Sequence, residues 1–98
     1  QLEAARAAWA RATAGFDAVL CPTAPILPPD VDRLMSDSEY YVTENLLTLR
    51  NTRVGNLMGL CGLSLPTGTP SCGVQLLAAP NTEEALLRLG AAAEVALA

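Results

Sequence analysis

Neither histidine nor lysine occurs among the 98 residues, and only four aromatic side chains are present. Without them the chain cannot build a Ser-His-Asp triad, a Cys-His pair, a histidine metal site, a Schiff-base lysine or a P-loop lysine, whatever its fold. Basic charge is confined to six scattered arginines, Arg6, Arg11, Arg33, Arg50, Arg53 and Arg88, against ten acidic residues, for a net charge of −4. Nucleic-acid affinity rests on clustered Lys and Arg, so this balance argues against a nucleic-acid partner. Apolar runs also stay far short of the eighteen or so residues of a membrane span, and no basic segment followed by an apolar stretch opens the chain. A cytoplasmic chain with no membrane partner is expected. The three cysteines, Cys21, Cys61 and Cys72, are odd in number and widely spaced, unlike a disulfide framework or a zinc motif. They read as three buried, reduced thiols acting as small apolar side chains. No cofactor or metal is expected.

What is abundant is Leu and Ala, 17 of each, within a 51% hydrophobic composition whose mean hydropathy is +0.30. That is more apolar surface than one small domain ordinarily needs, and it implies a partner surface. The chain opens at Gln1 inside an amphipathic pattern, with no Met and no capping residue ahead of it. We expect residues 1–98 to be a single segment of a larger fold that begins within an element.

Leu2, Ala5, Trp9 and Ala12 share one helical face and predict a helix ending near Gly15. Residues 16–21 are almost continuously apolar, which predicts a strand buried on both faces. Pro22, Pro25, Pro28 and Pro29 then forbid helix and ladder, so an extended loop is expected to about residue 35. Ser36 and Glu39 have the S-x-x-E spacing of a capping box and predict a helix over about 38–58. Its middle is crowded by Arg50, Asn51, Thr52, Arg53 and Asn56 beside a Leu-rich face. Residues 63–65 and 73–77 read as antiparallel neighbours about a tight turn at Gly68-Thr69, in a register setting Leu65 opposite Cys72 and Cys61 opposite Leu76. That register disfavours a Cys61–Cys72 disulfide. Asn81 and Glu84 repeat the capping spacing ahead of a last helix from about 82 to the end, in which Gly90 implies close packing against a neighbour. The order is helix, strand, loop, helix, strand, strand, helix, an α/β arrangement contributing to a mixed sheet.

Few residues carry chemistry. Gly62-Leu63-Ser64-Leu65-Pro66 comes within one residue of the G-x-S-x-G nucleophile elbow, but Pro66, strand-like flanks and the lack of His favour a structural serine. Gly55, Gly59 and Gly62 lie at a helix end, whereas phosphate loops sit at a helix start. Asp30, Asp32, Asp37 and Glu39 lack the glycine and closing Glu of a calcium loop and read as solvated. Arg50 and Asn51 are the candidate substrate-binding residues, because a guanidinium and a carboxamide read carboxylates and amides with directional hydrogen bonds.

Three stretches together resemble the C-terminal part of the amidase signature family. Phe16-Asp17-Ala18-Val19-Leu20-Cys21-Pro22-Thr23-Ala24-Pro25 is similar to its strand ending in P-T-x-P. Residues Asn56 to Gly68 are close to N-x-x-G-L-P-x-x-S-x-P-x-G, and Gly73-Val74-Gln75-Leu76-Leu77 matches its G-(V/L)-Q-(L/I) strand. The resemblance implies a partial amidase-signature fold and a parent enzyme that cleaves a small-molecule carboxylic amide through a serine nucleophile, a bridging serine on a cis peptide and a lysine base. It places those three residues upstream, so residues 1–98 hold none of them and are expected to be inactive alone. Cys61 stands where the family commonly has Pro. In the branch that makes glutaminyl-tRNA by amidotransfer, an Asp about seven residues before the N-x-x-G-L Asn recognises the substrate's amino group. Leu49-Arg50-Asn51 occupies that neighbourhood here, which implies a general amidase rather than part of an amidotransferase. The alternatives are the C-terminal part of a protein like the amidase-type component of glutamyl-tRNA amidotransferase, or a stand-alone, non-catalytic interaction and oligomerisation module. Self-association of the chain is expected under every reading, because strands without neighbours leave apolar surface open.

Overall fold

Why the chain breaks where it does is visible in its caps. The computed structural model describes residues 1–98. The amphipathic first helix, α1 (Leu2–Thr13), stops when the Thr13 hydroxyl takes the Trp9 carbonyl, and Phe16 N–H closes the turn onto Thr13 O. The first strand, β1, spans only Val19–Pro22 and lies at a sheet edge. It is half-buried on alternate residues and Leu20 is 65% exposed, which corrects the expectation of a strand buried on both faces. Its apolar run is continuous, yet only one of its faces meets other residues.

The proline-rich loop is shorter than expected. Once past Pro29 nothing forbids a helix, and α2 (Val31–Ser36) begins on Asp30, whose carboxylate accepts from Asp32 N–H. The helix expected over 38–58 is two: α3 (Ser38–Thr48) and α4 (Arg50–Met58). At the break the Thr48 hydroxyl takes the Glu44 carbonyl, and Leu49 sits at φ −91°, ψ −4°. The cap of α3 is Asp37, whose carboxylate accepts from Tyr40 N–H at 3.1 Å. Ser36 belongs to α2 and donates to Asp32 O, so the capping box predicted on Ser36 does not form. Tyr40 ties the two helices together: its hydroxyl accepts from Asp30 N–H, and the Arg33 guanidinium lies 4.1 Å from its ring centre. The acidic residues around 30–39 thus work as helix caps or face solvent.

Helix α4 ends at Gly59, left-handed at φ 70°, with Gly59 N–H on Asn56 O and Leu60 N–H on Gly55 O. Strands β2 (Cys61–Pro66) and β3 (Gly73–Ala78) follow as the expected antiparallel pair. Their register corrects the expected one by two residues: Leu65 lies opposite Val74 and Cys61 opposite Ala78. The connection is a loop over 67–72 rather than a tight turn. Gly68 and Ser71 take positive φ, Cys72 N–H bonds Thr69 O, and the Thr67 hydroxyl donates to Cys72 O at 2.7 Å. An even shift leaves every side chain on its expected face. All three cysteines are free, but Cys21 and Cys61 are only half-buried and Cys72 is exposed at the end of the loop, which corrects the expectation of three buried thiols.

The last helix, α5 (Glu83–Leu97), is preceded by Asn81 in a left-handed turn conformation (φ 62°), so Asn81 is not the cap. Thr82 occupies that position and turns its hydroxyl to Ala79 O. Gly90 is buried against β2, and a Cβ there would collide with the Leu63 side chain. The close packing expected of this glycine is therefore present.

The sheet has strand order β1-β3-β2 and is antiparallel throughout, with five helices around it. Residues alternating toward α5, Leu63, Leu65, Val74, Leu76 and Ala78, join Leu86, Leu89 and Ala93 in the core. Only seven residues are buried, while Phe16 (73%), Leu27 and Met35 stand exposed on a flat body of 46 × 40 × 17 Å. No helix is long and apolar enough to cross a membrane.

Candidate functional site

The sheet face turned away from the core carries the polar residues. Strand periodicity puts Val19, Cys21 and Thr23 on this face, with Gly62 and Ser64 from β2 and Gly73, Gln75 and Leu77 from β3. Cys21, Gln75 and Ser64 lie opposite one another across the three strands. Gln75 is 5% exposed and its Nε2 donates to Cys21 Sγ at 3.2 Å. The Thr23 and Ser64 hydroxyls share a 2.6 Å hydrogen bond. Between them Gly73 leaves the necessary space, since a Cβ there would stand 3.1 Å from Thr23 Oγ1 and 3.5 Å from Ser64 Oγ.

Helix α4 lies against this same face. Gly55 allows the approach, because a Cβ there would meet Leu77 Cδ2 at 3.2 Å. One turn earlier Asn51 donates from Nδ2 to the Pro22 carbonyl at 2.9 Å and fixes the start of the Pro22–Pro25 loop to the helix. Arg50 is exposed, and its guanidinium makes no hydrogen bond or ion pair within the chain. The two predicted binding residues therefore differ: Asn51 is engaged in holding a loop and Arg50 is free. Ser64, weighed as a nucleophile, has a threonine hydroxyl as its partner and no base. Cys21, Thr23 and Gln75 lie within the family-like stretches, yet no local pattern joins them to Ser64; only the register does. The cluster consists of neutral hydrogen-bonding groups bonded to one another, with no base among them to take a proton.

A second feature is an apolar cleft of about 750 Å³ between α1, the start of β1 and the start of α5, lined in part by Trp9, Phe16, Met58, Leu60 and Leu86. At its edge Arg6 Nε donates to Leu57 O at 2.8 Å, beside Gly59. There the guanidinium faces the carbonyl end of α4, a favourable placement for a cation. No grouping of His, Cys, Asp and Glu could hold a metal ion.

Comparison with known proteins matches most of the chain. It is 33% identical over 90 residues, 88% of its length, to a 2-amino-5-chloromuconic acid deaminase of Comamonas testosteroni. Over 84 residues, 83% of its length, it is 36% identical to a component of the glutamyl-tRNA(Gln) amidotransferase of Streptococcus pneumoniae, and equally to that of Streptococcus thermophilus. The matched stretch is 19% of the deaminase and 16% of the amidotransferase components, so the chain spans less than a fifth of these relatives. No family model matches, and neither does any solved structure.

Proposed function

We propose that residues 1–98 are the C-terminal segment of an amidase-signature enzyme that hydrolyses a carboxylic amide to acid and ammonia, with its serine nucleophile, cis-serine and lysine outside these residues. The observation that carries this reading is the meeting of the three family-like stretches on one sheet face. Thr23 of the P-T-x-P stretch bonds Ser64 of the second, across Gly73 of the third. Identity of 33–36% to two kinds of enzyme, both with names that describe removal or transfer of nitrogen, supports it from outside the fold. So does the apolar surface left bare around a three-stranded sheet, which the remainder of such an enzyme would cover.

On this reading the Pro22–Pro25 loop and the start of α4 form one wall of the substrate pocket. Asn51 sets the wall and Arg50 supplies its charge. A guanidinium attracts carboxylates and carbonyl oxygens and repels an ammonium group. An acid or carbonyl-rich amide is therefore the favoured substrate, in keeping with the deaminase relative, whose name specifies an acid. The amidotransferase reading is the second one, favoured by the 36% identity to the streptococcal proteins. Ammonia release decides between them. The enzyme containing this segment should liberate ammonia from simple acidic amides without tRNA, and residues 1–98 alone should liberate none. Release that depends on glutamyl-tRNA and glutamine would favour the amidotransferase; no release under either condition would overturn both.

A further inference from the structure

Three consecutive residues at the end of β1 are each held by a side chain from a different element. Cys21 Sγ accepts from Gln75 Nε2 of β3 at 3.2 Å, and the Thr23 hydroxyl bonds the Ser64 hydroxyl of β2 at 2.6 Å. Between them Pro22 points elsewhere. Thr23 N–H bonds Gly73 O, so by antiparallel alternation the Pro22 carbonyl is turned away from β3, toward the edge of the sheet. There Asn51 Nδ2 of α4 donates to it at 2.9 Å. Residues 21–23 are thus fixed on the sheet face and at its edge at once, where β1 passes into the Pro22–Pro25 loop.

Gln75 is the member of this set that stability explains least. It is the one polar side chain among the seven buried residues, it lies on the middle strand, and Leu76, Leu77 and Ala78 after it are buried as well. The bond it makes is to sulfur, a weak acceptor, which offsets little of what a carboxamide loses on leaving water. A Met or Leu of similar size would fill the position without that loss. Residues that concede stability in this way gather where function requires a particular geometry. From Gln75 a short path leads to a charged group: Cys21 to the Pro22 carbonyl through the chain, that carbonyl to Asn51 by a hydrogen bond, and Asn51 to Arg50 as its neighbour in sequence.

We propose that Gln75 is a positioning residue for Arg50. By holding Cys21 it sets the Pro22 carbonyl, which sets the start of α4 and with it the place where the guanidinium meets an acid group of the substrate. The inference rests on the reading of residues 1–98 as part of an amide-cleaving enzyme, and adds to it a specificity determinant three bonds of contact away from the substrate. A guanidinium reads a carboxylate through directed N–H groups, so displacing the start of α4 weakens recognition of an acid and leaves a neutral amide unaffected.

Ammonia release by the complete enzyme from succinamic acid and from butanamide, which carries a methyl group in place of the carboxyl, tests this. The quantity read is the ratio of kcat/KM for the two amides. Gln75→Met should lower the ratio about threefold through a higher KM for succinamic acid, less than the roughly tenfold of Arg50→Ala, with kcat/KM for butanamide little changed. In an Arg50→Ala background Gln75→Met should lower the ratio no further, because both changes act through one group. Cys21→Ala removes the acceptor and should reproduce Gln75→Met, whereas Cys21→Ser keeps an acceptor and should retain more of the ratio; this pair carries the test if Gln75→Met does not fold. Equal losses for both amides would make Gln75 merely structural, and a full further loss in the Arg50→Ala background would mean that it acts elsewhere. Either result, or an unchanged ratio in both Gln75→Met and Cys21→Ala, overturns the inference and leaves the amidase reading standing. No ammonia from either amide with the unmodified enzyme would overturn that reading, and the inference with it.

Discussion

Thr23 and Ser64 stand 41 positions apart in sequence, yet their hydroxyls lie 2.6 Å from each other across the glycine at position 73. Three strands must be in register for this contact, so it reports on the whole polar face. A neutral hydrogen bond contributes about 1 kcal/mol net. Thr23→Val and Ser64→Ala should each lower stability by about that amount, and the double variant should cost less than the sum, by chemical denaturation. Gly73→Ala should perturb the same contact by pushing a methyl group toward Thr23 Oγ1.

The start of α3 separates two capping residues. Asp37→Ala should destabilise by about 1 kcal/mol through loss of the bond to Tyr40 N–H. Ser36→Ala removes only a bond within α2 and should change the melting temperature little. Equal effects would restore the capping box read from the S-x-x-E spacing.

Gly90 meets Leu63 more closely than any Cβ permits. Alanine gains about 1 kcal/mol in helix propensity, but overpacking a core typically costs about 1–3 kcal/mol. Gly90→Ala should therefore lower the melting temperature despite the better helix former. Adding Leu63→Ala, which opens the space, should make the pair less destabilising than the sum of the single variants.

If residues 1–98 belong to an amide-cleaving enzyme, Arg50 and Asn51 should fail differently in it. Losing a hydrogen bond to a charged group costs about 1.5–3 kcal/mol, so Arg50→Ala should raise KM for an acidic amide roughly tenfold or more, with kcat little changed. Asn51→Ala frees the Pro22 carbonyl and should shift the backbone resonances of residues 22–25 even without substrate. Unchanged kinetics in Arg50→Ala would remove Arg50 from the pocket.

Local patterns carried much of the fold. The spacing of Leu2, Ala5 and Trp9, the Gly59 stop, the antiparallel pairing of β2 with β3 and the packing demand of Gly90 all follow from residues near one another in sequence. Expectation and structure part where a second, nearby solution competes. Asp37 displaces Ser36 as a cap, and Thr48 and Leu49 split a helix whose periodicity runs on. The hairpin closes through Ser71 rather than at Gly68-Thr69. The polar face is hidden for a different reason. Cys21, Thr23, Ser64 and Gln75 come from three strands, and only a register that is two residues from the expected one shows which of them touch.

If residues 1–98 are part of an amide-cleaving enzyme of the matched relatives' size, that enzyme is about five times as long as these 98 residues. Sequencing the DNA upstream of the Gln1 codon reads this out without any assay of activity. An open frame continuing for several hundred codons, encoding a glycine- and serine-rich region with one lysine and two serines in the amidase pattern, is the predicted result. An in-frame stop a short distance upstream would contradict it and leave a stand-alone module.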